Sequence, residues 1–212
     1  MSAATVLTSA MSGMPALSGT GGSLAALIRH IAPILGWSIE FDNSTDIIVI
    51  KPQSYGGGQA LFYRFDDRAA RGGAAPRVAE VRAYESMSDI NTGAGLVGPV
   101  YISKSPTNDA VTRSWHVFGD AYGFYAGTHS ANTTYPDGIP VNWHYFGFVN
   151  GVVNAVPICV MIGCGDLTGN VDYVISGMLY ATSDSTGSLS YMYAHHNIEG
   201  TAKSVAVSPQ IS

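Results

Sequence analysis

Charge is what this chain has least of. Only 12% of its 212 residues are Asp, Glu, Lys or Arg, about half of the roughly 25% usual for a soluble domain. Solvation therefore falls to Ser, Thr, Asn, Tyr and the backbone, or much of the surface is covered by neighbouring subunits. The net charge of −5 lacks the basic footprint that binding to duplex nucleic acid requires. Long apolar runs are missing too. None approaches the ~18 to 20 residues that span a bilayer, so no membrane span is expected, and residues 1–20 carry no basic n-region of a secretory signal. Cysteine is confined to Cys159 and Cys164. On one continuous strand this odd spacing sends the two thiols to opposite faces. That argues against a local disulfide, and without a His/Cys cluster beside them both read as core residues.

Enzyme signatures are equally scarce. Gly19-Thr-Gly-Gly-Ser23 opens a helix, where free N–H groups attract anions. Yet the Lys followed by Ser or Thr of a phosphate loop is absent, and no strand precedes the glycines as a dinucleotide site demands. The serines include no Gly-x-Ser-x-Gly elbow. His195 and Glu199 would share a face of a helix as metal ligands do, but the preceding Leu-Ser-Tyr-Met-Tyr-Ala alternates like a strand, and a polar strand end is the better reading. A metal on a trimer axis, with one His from each subunit, stays open at this point. Asp66 and Asp67 are adjacent, so a regular strand turns them to opposite faces and they cannot converge for acid/base work. Asp166, with Asp172 its imagined partner, falls in the turn-like Gly-Asp-Leu-Thr-Gly. No catalytic residue, metal ligand or cofactor is assigned, and the chain is not read as an enzyme.

Hydrophobic residues make up 46% of the chain, ample for a sizeable core. Residues 1–22 read as an N-terminal arm, flexible alone and ordered against a partner. Residues 23–212 read as a single β-rich domain. It opens with a helix over about 23–35, whose stripe is Leu24, Leu27, Ile28, Ile31 and Leu35, with Ser23 as N-cap, Pro33 near the last turn and Gly36 just past it. After Trp37 the period becomes two. Strands are expected at 38–41, 46–50, 61–66, 77–85, 100–103, 114–119, 123–126, 142–149, 156–162, 173–181, 189–195 and 202–207, with Gly, Pro, Asn or Asp between them, as in Tyr135-Pro-Asp-Gly138. The fold class is mainly β, sandwich- or barrel-like, with one short N-terminal α-helix.

Two groups of residues remain as binding candidates. Five of the seven arginines lie between Arg64 and Arg82, with Asp66, Asp67, Glu80 and Glu85 interleaved. Mixed signs read as a solvated hairpin or a subunit contact, its polar contacts from Arg64 and from Arg68 and Arg71 at the tip. The chain also has 3 Trp, 12 Tyr and 7 Phe, clustered at Trp115–Tyr125 and Trp143–Phe148. Trp115, Trp143 and Tyr145 are candidates for a subunit interface or for sugar stacking, against the plainer reading that they fill the core.

Four stretches, in order, resemble a family of virion structural proteins of tailed bacteriophages. Ala10-Met-Ser-Gly-Met-Pro-Ala-Leu-Ser-Gly-Thr-Gly-Gly-Ser-Leu24 is similar to the family's opening, and Leu61-Phe-Tyr-Arg-Phe-Asp-Asp67 to its aspartate-ending strand. Val81-Arg-Ala-Tyr-Glu-Ser-Met-Ser-Asp-Ile-Asn-Thr-Gly93 resembles its most distinctive motif, with Ala83 where Gly is common and Asn91 where Asp is. Trp115-His-Val-Phe-Gly-Asp120 with Phe124-Tyr125 resembles the segment that follows. The match covers about the first two-thirds of the chain. It implies a copy-repeated part of the particle, in the tail, baseplate or neck, made in the host cytoplasm and assembled with itself and other virion proteins. The alternatives are a capsid decoration protein or a module that binds host-surface glycan. The family transfers no catalytic residue.

Overall fold

After Trp37 the regular elements among the described residues are all β-strands. The computed structural model describes residues 4–56, 58–69, 76–128, 142–149, 158–164, 180–183, 189–198 and 201–207. Its elements are β1 (Thr5–Thr8), α1 (Ser23–Leu35), β2 (Ser38–Asp42), β3 (Ile47–Lys51), β4 (Phe62–Asp66), β5 (Val78–Tyr84), β6 (Ser86–Asp89), β7 (Thr92–Ala94) and β8 (Val97–Ser103). They continue with β9 (Trp115–Gly119), β10 (Gly123–Thr128), β11 (Asn142–Val149), β12 (Ile158–Cys164), β13 (Tyr180–Ser183), β14 (Leu189–Ile198) and β15 (Thr201–Val207). The mainly β expectation holds, with one helix among the described residues. Turn 135–138, Asp166 and Asp172 lie outside them, as does Arg71.

Two five-stranded antiparallel sheets form a sandwich. The first runs β2-β3-β4-β5-β8 and the second β1-β9-β10-β11-β12. Strands β13-β14-β15 form a third sheet and β6-β7 a hairpin. His195 and His196 lie within β14, so the strand reading displaces the helical one. Tyr63 and Phe65 of the first sheet meet Phe146 of the second, at ring-centroid distances of 5.6 and 5.3 Å. Trp37 closes the core from the end of the helix, 5.6 Å from Tyr63 and 4.9 Å from Phe124, and its indole N–H donates to the Asp120 carbonyl at 2.9 Å. Such pairs add about 0.5–1.5 kcal/mol each beyond their area burial.

Helix α1 has the expected bounds. Its apolar stripe is buried, Pro33 stands in the last turn, and Gly36 ends the helix at φ +85°, where its N–H and that of Trp37 recover the carbonyls of Pro33 and Ala32. The N-terminus differs from expectation. Gly22 occupies the N-cap position, and the cap comes from far along the chain: Asp67 Oδ2 accepts the N–H of Leu24 at 2.7 Å and of Ala25 at 3.3 Å. Ser23 instead donates its hydroxyl back to the carbonyls of Ser18 and Thr20.

Residues 4–22, the described part of the expected arm, lie against the sheet. Within them Thr5–Thr8 pair with β9 in register Val6 to Phe118 and Leu7 to Val117. Leu17 is fully buried and bridges to Arg113. Sheet pairing and two buried leucines hold the segment, which an uncharged Ser/Ala/Thr composition does not reveal.

Candidate functional site

The five strands of the second sheet contain no Asp, Glu, Lys or Arg. Their inner face supplies core: Leu7, Val117, Phe124, Phe146 and Met161 are buried. The outer face carries a cross-strand row in register, Val6–Phe118–Tyr125–Tyr145, ending at the position of Ile162. Val6 is 62% exposed, Tyr125 43% and Phe118 37%; Tyr145 is half-buried. A parallel row runs Thr8–His116–Gly127–Trp143 to the position of Cys164.

The rings lean on one another. Phe118 and Tyr125 stack at 4.6 Å with planes only 17° apart, and Tyr125 is 4.6 Å from Tyr145. Trp143 reaches across Gly127 to meet Phe118 at 5.6 Å, edge to face, and the bare Gly127 beneath it is buried. Tyr145 passes over Gly123, where an added Cβ would come within 2.9 Å of its ring, and its hydroxyl donates to the Phe148 carbonyl. Burial raises that phenol above its ordinary pKa. Phe118 and Tyr125 thus cover a face of one another, while Tyr145 and Trp143 meet them tilted and edge-on, and the row shows solvent a ribbed aromatic strip.

Of the sequence candidates, Trp143 and Tyr145 fall on this face, and Trp115 does not. Trp115 is fully buried, and its indole N–H donates to the Pro15 carbonyl at 3.0 Å, so it is core and cannot grip a sugar or a neighbour. Arg64 is also withdrawn from the surface, at 7% exposure. Its guanidinium bonds Asp66 Oδ2 at 3.0 Å, the Ile90 carbonyl at 2.7 Å and Asn91 Oδ1 at 3.2 Å, and this pins the β6-β7 turn onto the first sheet. Arg68 is half-exposed, but its fork is engaged by both Asp66 oxygens at 2.9 and 2.7 Å. Burial opposes ionisation of Asp66, yet the two guanidiniums prevail and hold its carboxyl down to about 2. These arginines satisfy internal carboxylates, so Arg64 is corrected from subunit contact to internal anchor.

Phe118, Tyr125 and Val6 are the face residues that sequence reasoning missed. Trp115–Gly119 is apolar at both parities, so alternation alone cannot say whether Trp115 or Phe118 turns outward.

The anion site at the start of α1 is already filled. Asp67 occupies it, and Lys104 Nζ bonds Asp67 Oδ1 and the Thr20 carbonyl, with both charged side chains fully buried. Burial pushes the Asp67 carboxyl up, against the pull of the Lys104 ammonium and the helix N–H groups. Glycine is required beside it: a Cβ at Gly19 would lie 2.9 Å from the Thr107 carbonyl carbon, and one at Gly21 would lie 2.7 Å from the Ala69 nitrogen. The Gly19–Ser23 stretch thus closes around an internal carboxylate.

Cys159 is buried with its sulfur 3.1 Å from the Tyr63 hydroxyl. Cys159 and Cys164 share β12 in continuous register, opposite inward Phe148 and outward Trp143. Among the described residues no three His, Cys, Asp or Glu side chains gather as a metal site, and no helix is long and apolar enough to cross a membrane. The chain matches no protein-family model, no curated protein and no solved structure.

Proposed function

We propose that the protein is a copy-repeated structural component of a tailed-bacteriophage particle, in its tail, baseplate or neck, and that it works by association. One observation carries the association: a five-stranded sheet without a charged residue turns a ribbed aromatic strip and Val6 to the outside. Exposed apolar patches rimmed by polar residues mark contact surfaces, and aromatic rings suit a contact that is wet at its rim and dry at its centre. The particle comes from the resemblance of the four motif stretches. Three of them have packing roles that fit a structural part. Gly19–Ser23 and Asp67 lock the helix to the first sheet, and Asp89–Asn91 close the hairpin held by Arg64.

Geometry favours a protein neighbour over a glycan. A sugar stacks its C–H groups on an open ring face. Phe118 and Tyr125 cover one another, Tyr145 leans on Tyr125, and Trp115 is inside. Trp143 meets Phe118 edge to face, and the interlocked row suits side chains of another protein better than a flat sugar. The test is to purify particles on a density gradient and quantify this chain by mass spectrometry. A fixed stoichiometry with the particle is expected; a chain that always stays at the top of the gradient ends the proposal.

A further inference from the structure

Among the described residues the two large sheets end in β2 and β8 and in β1 and β12; β2 and β8 are guarded, and β12 is covered where it runs beside β8. Strand β2 carries the exposed Glu40 at a register shift, and Asp42 in an ion pair with Arg29. Strand β8 contains Pro99 and an irregular register against β5, and it runs beside β12 where the sheets meet. Charges, proline and bulges are the usual devices that stop a sheet edge from recruiting another strand. Strand β1 has none of them: Thr5-Val6-Leu7-Thr8 pairs with β9 in unbroken register and, among the described residues, ends the sheet.

Its backbone is poised for a further strand. Ser9 donates its N–H to the Trp115 carbonyl at 3.0 Å. Bonding along an antiparallel pair alternates, so Leu7 and Thr5 also face β9, and Val6 turns its N–H and C=O to the open edge. Its side chain is the most exposed of the large hydrophobics among the described residues.

We propose that two copies of this chain pair edge to edge through β1, antiparallel, about a twofold axis at Val6. An antiparallel pair has local twofold symmetry, so one strand is its own complement and the contact is isologous. Val6 of each copy donates to and accepts from its counterpart, and the two sheets become one of ten strands. Only a register that sets Val6 opposite an outward residue keeps both aromatic rows on the same face. Area explains the benefit. One row exposes on the order of 300 Å² of apolar surface, well short of the about 800 Å² per partner of a stable interface. Two rows joined at Val6 make a continuous strip nearer to that size for the next component of the assembly. The pairing names the partner within the association reading above and rests on it.

The test is cysteine capture in the full chain. In a hydrogen-bonded antiparallel pair the facing Cα atoms are about 5.5 Å apart, inside the range a disulfide spans. Mild oxidation of Val6→Cys is expected to give a covalent dimer on non-reducing gels, at least tenfold faster than Thr8→Cys or the unsubstituted chain. Val6→Pro removes the outward N–H and no bond to β9. It is expected to abolish the concentration-dependent dimer in sedimentation while the melting temperature stays put, and Val6→Lys should do the same. A chain that is monomeric at every concentration overturns the pairing, as does Val6→Cys capture no faster than the control. A dimer indifferent to Val6→Pro, or capture of a different protein at position 6, also overturns it. None of these touches whether the chain sediments with particles, so the pairing and the virion reading fail separately.

Discussion

Lys104 and Asp67 form an ion pair from which water is excluded, both side chains being 0% exposed. Asp67 spends its other oxygen on the first turn of α1, and Lys104 also holds the Thr20 carbonyl. Three stretches far apart in sequence meet at this point: the glycine-rich loop, the end of β4 and the residue after β8. A buried charge that loses its partner is far more damaging than the pair is stabilising. The arrangement therefore specifies one packing of helix on sheet.

Lys104→Met is accordingly expected to destabilise the fold by about 3–5 kcal/mol, by stranding the Asp67 carboxylate in the core. Adding Asp67→Asn should restore much of this, since the amide oxygen still accepts from Leu24 and Ala25. Denaturant midpoints of the two single variants and the double variant give the coupling. Simple additivity would show that the two groups do not act as a pair.

His144 is 3% exposed on the inner face of β11, and neither ring nitrogen has a hydrogen-bond partner among the described residues. Burial lowers its pKa from 6.5 to about 4. The unfolded chain therefore takes up the proton first. Above pH 6.5 the residue is neutral in both states and exacts no penalty; stability falls as the pH drops from 6.5 to about 4, then levels. The loss from this site approaches about 3 kcal/mol. Unfolding free energies at pH 7 and 4.5 should show the decline in the native chain and a smaller one in His144→Phe.

Arg64 should anchor the hairpin specifically. Arg64→Lys keeps a charge but loses the fork that reaches Asp66, Ile90 and Asn91 together. About 1–3 kcal/mol of stability should go, and amide exchange should quicken at residues 86–94 more than in β3 or β4. Uniform quickening would mean that Arg64 supports the sheet and not the hairpin.

The two faces of the second sheet should respond differently. Trp115→Ala opens a cavity in the core and should cost about 3–5 kcal/mol. Tyr125→Ser, on the outer face, loses the ring contacts to Phe118 and Tyr145 and should cost about 1–3 kcal/mol, less than Trp115→Ala, while weakening attachment to particles. A Tyr125→Ser chain that attaches normally would remove the aromatic strip from the association.

Much of the fold was legible because it is local. The 3.6-residue stripe after Ser23 marked α1, and alternation between turn residues marked β2 to β5 and β8 to β12 within a few residues. The β6-β7 hairpin was not, since Ser-Met-Ser-Asp has little β propensity and stands mainly by its turn and Arg64. Strand β1 escaped for a similar reason, its pairing partner being over a hundred residues away.

The amino-acid sequence by itself determined the composition of the parts: a weakly charged β-rich chain, one amphipathic helix, and adjacent aspartates that had to part to opposite faces. The tertiary structure decided which face of each strand meets water, because both parities of β9 and β11 are apolar and only packing against the first sheet breaks the tie. It thereby sent Trp115 inward and Phe118 outward, turned Arg64 into an internal anchor, and supplied the helix with a cap from Asp67, 43 residues beyond Leu24. Those outcomes depend on contacts between segments distant in sequence, and no local pattern encodes them.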